Sequence, residues 1–368
     1  MQRRLVFVIH SLSGGGAERV LANMANHWSA QGHLVTVVTL ADINSDRYRL
    51  DSSIERVALG LTQESPHTFA TAWNTWRRIR ALRSAIRQTR ADRVISFTEK
   101  INVLVVLATL GMRMSTVICE RTDPRCHQIG IIWSTLRRLT YPRCWAAVVQ
   151  TNATREFVKR LVGAKPVYVV PNAVFCTAAK PTAEKQPWDE LPRVCVALSR
   201  LSHEKGIDLL LEAVGKLGAK HLDWRINVYG EGQERPRLER LVRERELERV
   251  SFLGWTADPE RVLASADLFV LPSRFEGFPN ALLEAMAAGL PTISFDCESG
   301  PREIIDHNVN GMLVPAEDTD ALAAAMDGLM SSAEQRQRLG RAAAHVVQRF
   351  APSKFYTLWE DALRLSES

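Results

Sequence analysis

No run of about 18 apolar residues, the length a membrane-crossing helix needs, occurs in this chain. The longest candidate, 101–112, is interrupted by Asn102 and Thr109, so nothing reads as a bilayer span. The start, Met1-Gln2-Arg3-Arg4 followed by apolar residues 5–9, imitates a secretion signal. Its apolar part is too short and runs straight into a glycine-rich stretch, so it is read as a first buried strand. Six cysteines (Cys119, Cys126, Cys144, Cys176, Cys195, Cys297) occur without a C-x-x-C pair, which argues against zinc or disulfides and for reduced structural thiols in cytosol. No repeat at roughly 20–50 residues is visible. There is no strand-end D-x-D, and Asp318-Thr319-Asp320 reads as a helix cap and first turn rather than a magnesium site.

What is present is ordinary in amount and uneven in placement. The 368 residues, 46% hydrophobic and 24% charged, suit a soluble globular protein of two domains. Residues 1–180 hold 25 Lys and Arg against 11 Asp and Glu, a net of +14, whereas 181–368 hold 22 against 30, a net of −8. A basic first half attracts phosphates, acidic lipid surfaces or nucleic acid; an acidic second half argues against a nucleic-acid groove along the whole chain.

Strand-like apolar runs alternate with helical periodicity, the pattern of a parallel sheet covered on both faces. Strands are expected at 5–10, 34–40, 93–96, 116–119, 146–150 and 167–170, then at 194–198, 225–229, 250–252, 268–271, 292–295 and 311–314. Between the sets lies 171–193, rich in Pro, Ala, Lys, Thr and Glu, which reads as an interdomain connection. The expectation is an α/β protein of two doubly wound domains, 1–175 and 190–351, with a last helix in 352–368 returning to the first. Their ligand is expected at the carboxyl ends of the sheets.

Candidate chemistry falls at those ends. In Glu276-Gly277-Phe278-Pro279-Asn280-Ala281-Leu282-Leu283-Glu284, one carboxylate lies in a turn and the other two helical turns along, with free N–H groups of a helix start between them. That suits a nucleotide, phosphate at the tip and ribose farther on; an ordinary surface helix with an acidic cap has the same spacing. After the first strand, Ser13-Gly14-Gly15-Gly16-Ala17-Glu18-Arg19 lets backbone N–H groups approach a phosphate or sugar. It also invites a dinucleotide reading with Asp42 at a ribose, against which Arg19 occupies the third glycine position of G-x-G-x-x-G. Arg200 and Lys205, in Ser199-Arg200-Leu201-Ser202-His203-Glu204-Lys205-Gly206, could converge on one diphosphate or stand as solvated cations. Gly230, in Tyr229-Gly230-Glu231-Gly232, and Phe252 with Leu253, before Gly254, leave room for a flat base or form plain turns. Glu298-Ser299-Gly300-Pro301-Arg302-Glu303 is explained by helix capping.

Taken in order, Gly-Gly-Gly-Ala-Glu-Arg, Ser-Arg-Leu-x-x-x-Lys-Gly, Phe-Leu-Gly, Ser-x-x-Glu-Gly-Phe-Pro-Asn-x-Leu-x-Glu-Ala-Met-Ala-x-Gly-x-Pro and Asn-Gly-x-Leu-Val resemble family 4 of the retaining glycosyltransferases. The resemblance covers nearly the whole chain. Its Gly-Gly-Ala-Glu-Arg start and Glu120-Arg121-Thr122-Asp123-Pro124 look most like the branch that builds lipid-linked bacterial polysaccharides and N-glycan precursors. The resemblance implies the GT-B fold, two Rossmann-like domains facing across a cleft, acceptor-binding first and donor-binding second. It implies transfer, with retention, of a hexose or N-acetylhexosamine from a UDP-linked sugar to a hydroxyl of a lipid-diphosphate-linked glycan.

Position by position, the resemblance puts Glu284 on the ribose hydroxyls and Arg200 with Lys205 on the diphosphate. Glu276 and the backbone of Gly277, Phe278 and Asn280 meet donor sugar and phosphate; Gly15 and Gly16 close on phosphate or acceptor. Arg200, Lys205 and Glu276 carry catalysis, with no metal and no cofactor beyond the nucleotide sugar. Many relatives have a histidine in mid-domain that touches the sugar; here Glu120 and Arg121 stand at that place.

The acceptor question returns to the basic half. Residues 73–90 read as a helix in which Arg80, Arg83 and Arg87 fall three and four apart on one stripe, among Trp73, Trp76 and Ile79. Such a stripe could hold a lipid diphosphate at an anionic membrane surface, or simply face solvent. Ile129-Gly130-Ile131-Ile132-Trp133 with Arg137 and Arg138 is a second candidate. The expected place is the cytoplasm, peripheral at the inner membrane face, with no nucleic-acid partner. A nicotinamide dehydrogenase and a basic nucleic-acid binder are the competing classes.

Overall fold

β-Branched and aliphatic runs too short for helices become strands, and the amphipathic segments between them cross back over the sheet. A computed structural model describes residues 2–62, 68–175 and 192–365. The first sheet holds β1 (Arg4–Ile9), β2 (Leu34–Thr39), β3 (Glu55–Ala58), β4 (Arg93–Phe97), β5 (Ser115–Cys119), β6 (Ala146–Val149) and β7 (Val167–Val169), in the order β3-β2-β1-β4-β5-β6-β7. The second holds β8 (Arg193–Leu198), β9 (Trp224–Tyr229), β10 (Val250–Gly254), β11 (Leu268–Leu271), β12 (Thr292–Phe295) and β13 (Met312–Val314), in the order β10-β9-β8-β11-β12-β13. Every pairing of named strands is parallel. In each sheet the order reverses beside its first strand, β1/β4 and β8/β11, which puts a crevice at the carboxyl ends there.

One strand escapes the sequence reading. β3, Glu-Arg-Val-Ala, is an edge strand that pairs only with β2. An edge needs few apolar residues, so no apolar run marks it.

The described residues divide into two compact units, at Pro171/Asn172 and again at Lys354/Phe355. Residues 172–175, expected with the first domain, therefore go with the second, where Val174 N–H donates to Phe350 O at 2.9 Å. The helix Pro352–Leu363 contributes Trp359 to the first unit, edge-on to Trp28 at 6.4 Å and stacked with Phe97 at 6.3 Å. Arg93 Nε donates to Leu363 O at 3.0 Å. Most of the expected connection, 176–191 with Cys176, lies outside the described residues, as do 366–368. The other five cysteines are free, and Cys119, Cys144, Cys195 and Cys297 are buried; burial pushes the Cys119 and Cys144 thiols up to about 12. They serve as small apolar side chains.

Candidate functional site

In the second unit, three strand ends are pressed together by glycines. A Cβ on Gly206, at φ +61°, would lie 1.9 Å from Pro272 O at the end of β11. One on Gly230, at φ +136°, would lie 1.8 Å from Ser199 O at the end of β8. Both backbone angle and space demand glycine, so the loops after β8, β9 and β11 are held close around the β8/β11 crevice. Gly206 opens the helix Ile207–Lys216.

That closeness brings Lys205 and Glu276 together, Nζ to Oε1 at 2.8 Å, with the side chains 23% and 8% exposed. Ser273 Oγ donates to the same carboxylate oxygen at 2.7 Å, and Ser299 Oγ donates to Glu276 O at 2.7 Å. A buried carboxylate so partnered has one fixed orientation. Arg200 is exposed, and its guanidinium makes no hydrogen bond or ion pair among the described residues. Lys205 and Glu276 are thus joined directly, while Lys205 and Arg200 both act on the Glu204 carboxyl, which burial opposes ionising but the Ser202 hydroxyl and these cations hold below its ordinary range. Below the loop, Arg274 grips both Asp208 oxygens at 2.9 Å. Burial opposes ionisation of that carboxyl, but Arg274's hydrogen bonds hold it below its ordinary range.

Gly277, Phe278 and Pro279 form a buried turn into the helix Asn280–Ala287, on which Glu284 is buried at 8% exposure. Pro279 offers no side-chain cap. The loop after β12 lies on this turn: a Cβ on Gly300 would meet Pro279 Cδ at 2.9 Å and Gly277 O at 3.0 Å. Phe278 itself is core, edge-on to Phe350 at 5.3 Å, so only its backbone faces the turn's polar side. Phe252 is half-buried on the core cluster, and Leu253 is exposed. Gly230 N–H donates to Gly254 O at 2.8 Å.

Sequence reasoning missed Asn172, Ser273 and Ser299. Asn172 is buried, and its Nδ2 donates to Phe278 O at 3.2 Å and to Asn280 Oδ1 at 2.7 Å. It looked like part of a connecting segment, and only its position directly after Pro171 hints at a fixed turn. Ser273 was within reach, since it stands three residues before Glu276 in the same motif.

The first unit's carboxyl edge is built differently. Gly15 precedes the helix Gly16–Ala30, and a Cβ there would fall 2.1 Å from Glu18 Oε2, so Glu18 folds back over the loop. After β4, Thr98 sits at φ +74°, costly for a β-branched residue, and it leads into Glu99, which pairs with His127 at 3.2 Å. Glu120, at the end of β5, is 2% exposed and accepts a hydrogen bond from Tyr141 Oη. Burial first, and then the neighbouring Glu99 carboxylate, push it up to about 7. Arg121 stacks over Phe97 at 4.6 Å, and burial lowers it to about 10.

Three readings from sequence change. Asp42, the ribose ligand of the dinucleotide alternative, instead caps the turn Ile43–Ser45, accepting from Asn44 N–H at 2.9 Å. Arg80, Arg83 and Arg87 are not three equal open cations: Arg80 lies over the Trp76 ring at 4.7 Å, and Arg83 Nη1 donates to Ala108 O at 2.7 Å and Leu110 O at 2.8 Å. Arg137 does not face outward with Arg138; it is 6% exposed and sits over Phe157 at 5.6 Å. Asp318 accepts from Asp320 N–H and Ala321 N–H at 3.0 and 2.9 Å. Among the described residues no group of three His, Cys, Asp or Glu is placed to hold a metal ion.

Comparison with known proteins accounts for both units. The model "Glycosyltransferase Family 4" matches residues 14–177, and "Glycosyl transferases group 1" matches 180–346. A Campylobacter jejuni GalNAc-alpha-(1->4)-GalNAc-alpha-(1->3)-diNAcBac-PP-undecaprenol alpha-1,4-N-acetyl-D-galactosaminyltransferase is 26% identical over 91% of each chain. The Erwinia amylovora amylovoran biosynthesis glycosyltransferase AmsD is 24% identical over 99% of this chain and 100% of its own. In fold, a TarM mutant of S. aureus, solved with fondaparinux, alpha-GlcNAc-glycerol and UDP, superposes with a TM-score of 0.79 at 13% identity, covering 98% of this chain and 100% of its own. With two doubly wound parallel sheets and the two family models in series from residue 14 to residue 346, the chain belongs to the family 4 glycosyltransferases of the GT-B fold.

Proposed function

We propose that this glycosyltransferase moves a hexose or N-acetylhexosamine from a UDP-linked sugar to a hydroxyl of a lipid-diphosphate-linked glycan, in assembly of a bacterial surface polysaccharide at the inner face of the cell membrane. The observation that carries the reading is the Lys205–Glu276 pair at the β8/β11 crevice, fixed by Ser273, with Glu284 buried on the helix beyond. Two relatives support the acceptor and pathway class: one acts, by its name, on a diphosphate-undecaprenol glycan and the other in amylovoran biosynthesis. The UDP in the TarM structure supports the donor.

The chemistry follows from charge. Departure of the nucleoside diphosphate builds negative charge, so Lys205, exposed Arg200 and the helix start at Asn280 would stabilise the transition state more than the ground state. Glu276 is then both Lys205's anchor and the donor sugar's neighbour, and Glu284 takes the ribose hydroxyls. The configuration is retained by a front-face displacement in which the leaving phosphate accepts the acceptor's proton. These cations replace a metal. Within the first unit, Glu120 and Arg121 at the end of β5 would lie near the acceptor.

Calorimetry of the full chain with UDP, GDP and NAD tests the donor reading. UDP binding that weakens at least about tenfold in Glu284→Ala, the loss of roughly one charged hydrogen bond, is expected; tighter binding of NAD, or unchanged UDP affinity, overturns it. A nucleotide-sugar panel against lipid-diphosphate glycans then reads the transfer itself.

A further inference from the structure

The helix Ile131–Thr140 turns a hydrophobic side outward. Ile131 is 87% exposed, Ile132 75% and Leu139 57%, while Trp133 and Leu136 on its other side pack into the core and Arg137 is buried over Phe157. Positions 131, 135, 138 and 139 share one face at helical spacing, and on it Arg138 is exposed beside the aliphatic residues. Arg143, also exposed, donates to Leu139 O and stands at the end of the same face. No Asp or Glu occurs between Asp123 and Glu156, in a half of the chain whose net charge is +14 from 25 Lys and Arg against 11 Asp and Glu.

We propose that this face of residues 131–143 is a docking surface for an anionic phospholipid bilayer. Aliphatic side chains at 131, 132 and 139 with arginines at 138 and 143 match the acyl boundary and the phosphate layer of an interfacial helix. Another exposed apolar pair in this unit has part of its ring surface used: Trp73 and Trp76 stack on one another at 4.8 Å, with Arg80 over Trp76. The arginine stripe that the sequence singled out is partly used as well, because Arg83 closes the end of the helix Glu99–Thr109. Docking through Ile131 and Ile132 would bring the first unit to the surface on which a lipid-linked acceptor resides. The inference deepens the acceptor reading above. Vesicle binding involves no transfer, so the two can fail separately.

The test is flotation of the full chain with phosphatidylcholine vesicles, with and without phosphatidylglycerol, at low and high salt. Wild type is expected to float with the anionic vesicles and to release as salt rises. Ile131→Glu with Ile132→Glu should weaken flotation at least about tenfold, the scale of removing two inserted aliphatic side chains. UDP affinity and Tm should hold, since both residues are largely exposed. Leu139→Gln should weaken it less, and Trp73→Ala with Trp76→Ala should leave it near wild type. Wild type that does not float, a 131/132 double variant that floats unchanged, or one that instead converts a dimer to a monomer in ultracentrifugation would each overturn the proposal, the last by assigning the face to a second copy of the chain.

Discussion

The two units share a winding order but not a way of building their ligand edge. In the second unit, glycines at 206, 230 and 300 let strand-end loops touch backbone to backbone, and charged side chains meet across them, Lys205 on Glu276 and Arg274 on Asp208. In the first, the β4 end is a strained threonine and the β5 end a buried carboxyl whose pKa is about 7. Both edges carry ion pairs, Glu99 with His127 in the first unit, but the first adds a buried carboxyl, Glu120, that takes up a proton near neutral pH. A nucleoside diphosphate is always charged and needs the fixed charges of the second. The reaction proposed here has its other partner supply a neutral hydroxyl, for which a buried acid partly protonated near neutral pH is a compatible neighbour.

If the second unit's edge holds the diphosphate, Lys205→Ala removes a transition-state cation and strands a buried carboxylate. Transfer should fall by about 100- to 1,000-fold in kcat/KM, the scale of losing one preorganised charge donor. Arg121→Ala in the first unit should change transfer less and leave UDP affinity in place. Equal losses would erase the distinction between the edges.

The proton on the first edge has its own signature. Glu120 rises from an ordinary 4.5 to about 7 because it is buried and sits near Glu99. With the folded value raised, its contribution to stability is complete below about 4.5 and is lost as pH climbs through about 7. Glu120→Gln should flatten stability across that window, gaining up to ~3 kcal/mol on wild type toward its upper end. Chemical denaturation at several pH values reads this. A parallel pair of curves would mean that Glu120 ionises normally.

How far the sequence foretold this follows the same division. Both sheets, their parallel sense and all strands but β3 could be read from apolar periodicity, since buried parallel strands are nearly continuous apolar runs. At the second edge, Gly206, Lys205, Glu276 and Glu284 fall in short, contiguous motifs, and the structure brings Lys205 to Glu276 across 71 residues. The first edge was opaque. Tyr141, Asn102 and Ser96 form one buried hydrogen-bonded chain reaching Glu120, yet each lies on a different element, and no spacing along the chain announces it. The arginines were opaque for a third reason: composition counts charge, whereas only packing decides that Arg137 turns in and Arg138 out.

Asn172 probes whether the second edge is fixed from outside its motifs. Its amide ties the start of the unit to both Phe278 O and Asn280 Oδ1. Asn172→Ala leaves the buried Phe278 O and the half-buried Asn280 Oδ1 short of a donor, which should cost about 1–2 kcal/mol of stability. If the amide also sets the turn before Glu284, UDP affinity should fall several-fold while vesicle binding stays unchanged. Lost stability with intact UDP affinity would reduce Asn172 to a packing residue.

The smallest expected effects belong to two side chains that resemble ligand-binding groups in sequence and close helix ends in the structure, one in each unit. Asp318, the first acid of a D-x-D, accepts two N–H groups at the start of the helix Thr319–Ser331; Arg83 donates to carbonyls at the end of the helix Glu99–Thr109. A cap removed costs about 1 kcal/mol, and a cation removed from a helix end about 0.3–1 kcal/mol. Asp318→Ala should therefore lower Tm by a few degrees and leave the ratio of transfer rates with and without EDTA as it is in wild type. If Asp318 holds a metal instead, the variant should lose transfer at low magnesium and recover it at high. Arg83→Ala should likewise show a small stability loss and unchanged vesicle binding; a larger loss of binding than of stability would return Arg83 to the lipid-facing set and make the first unit's surface, like the second unit's edge, a place where charge does the binding.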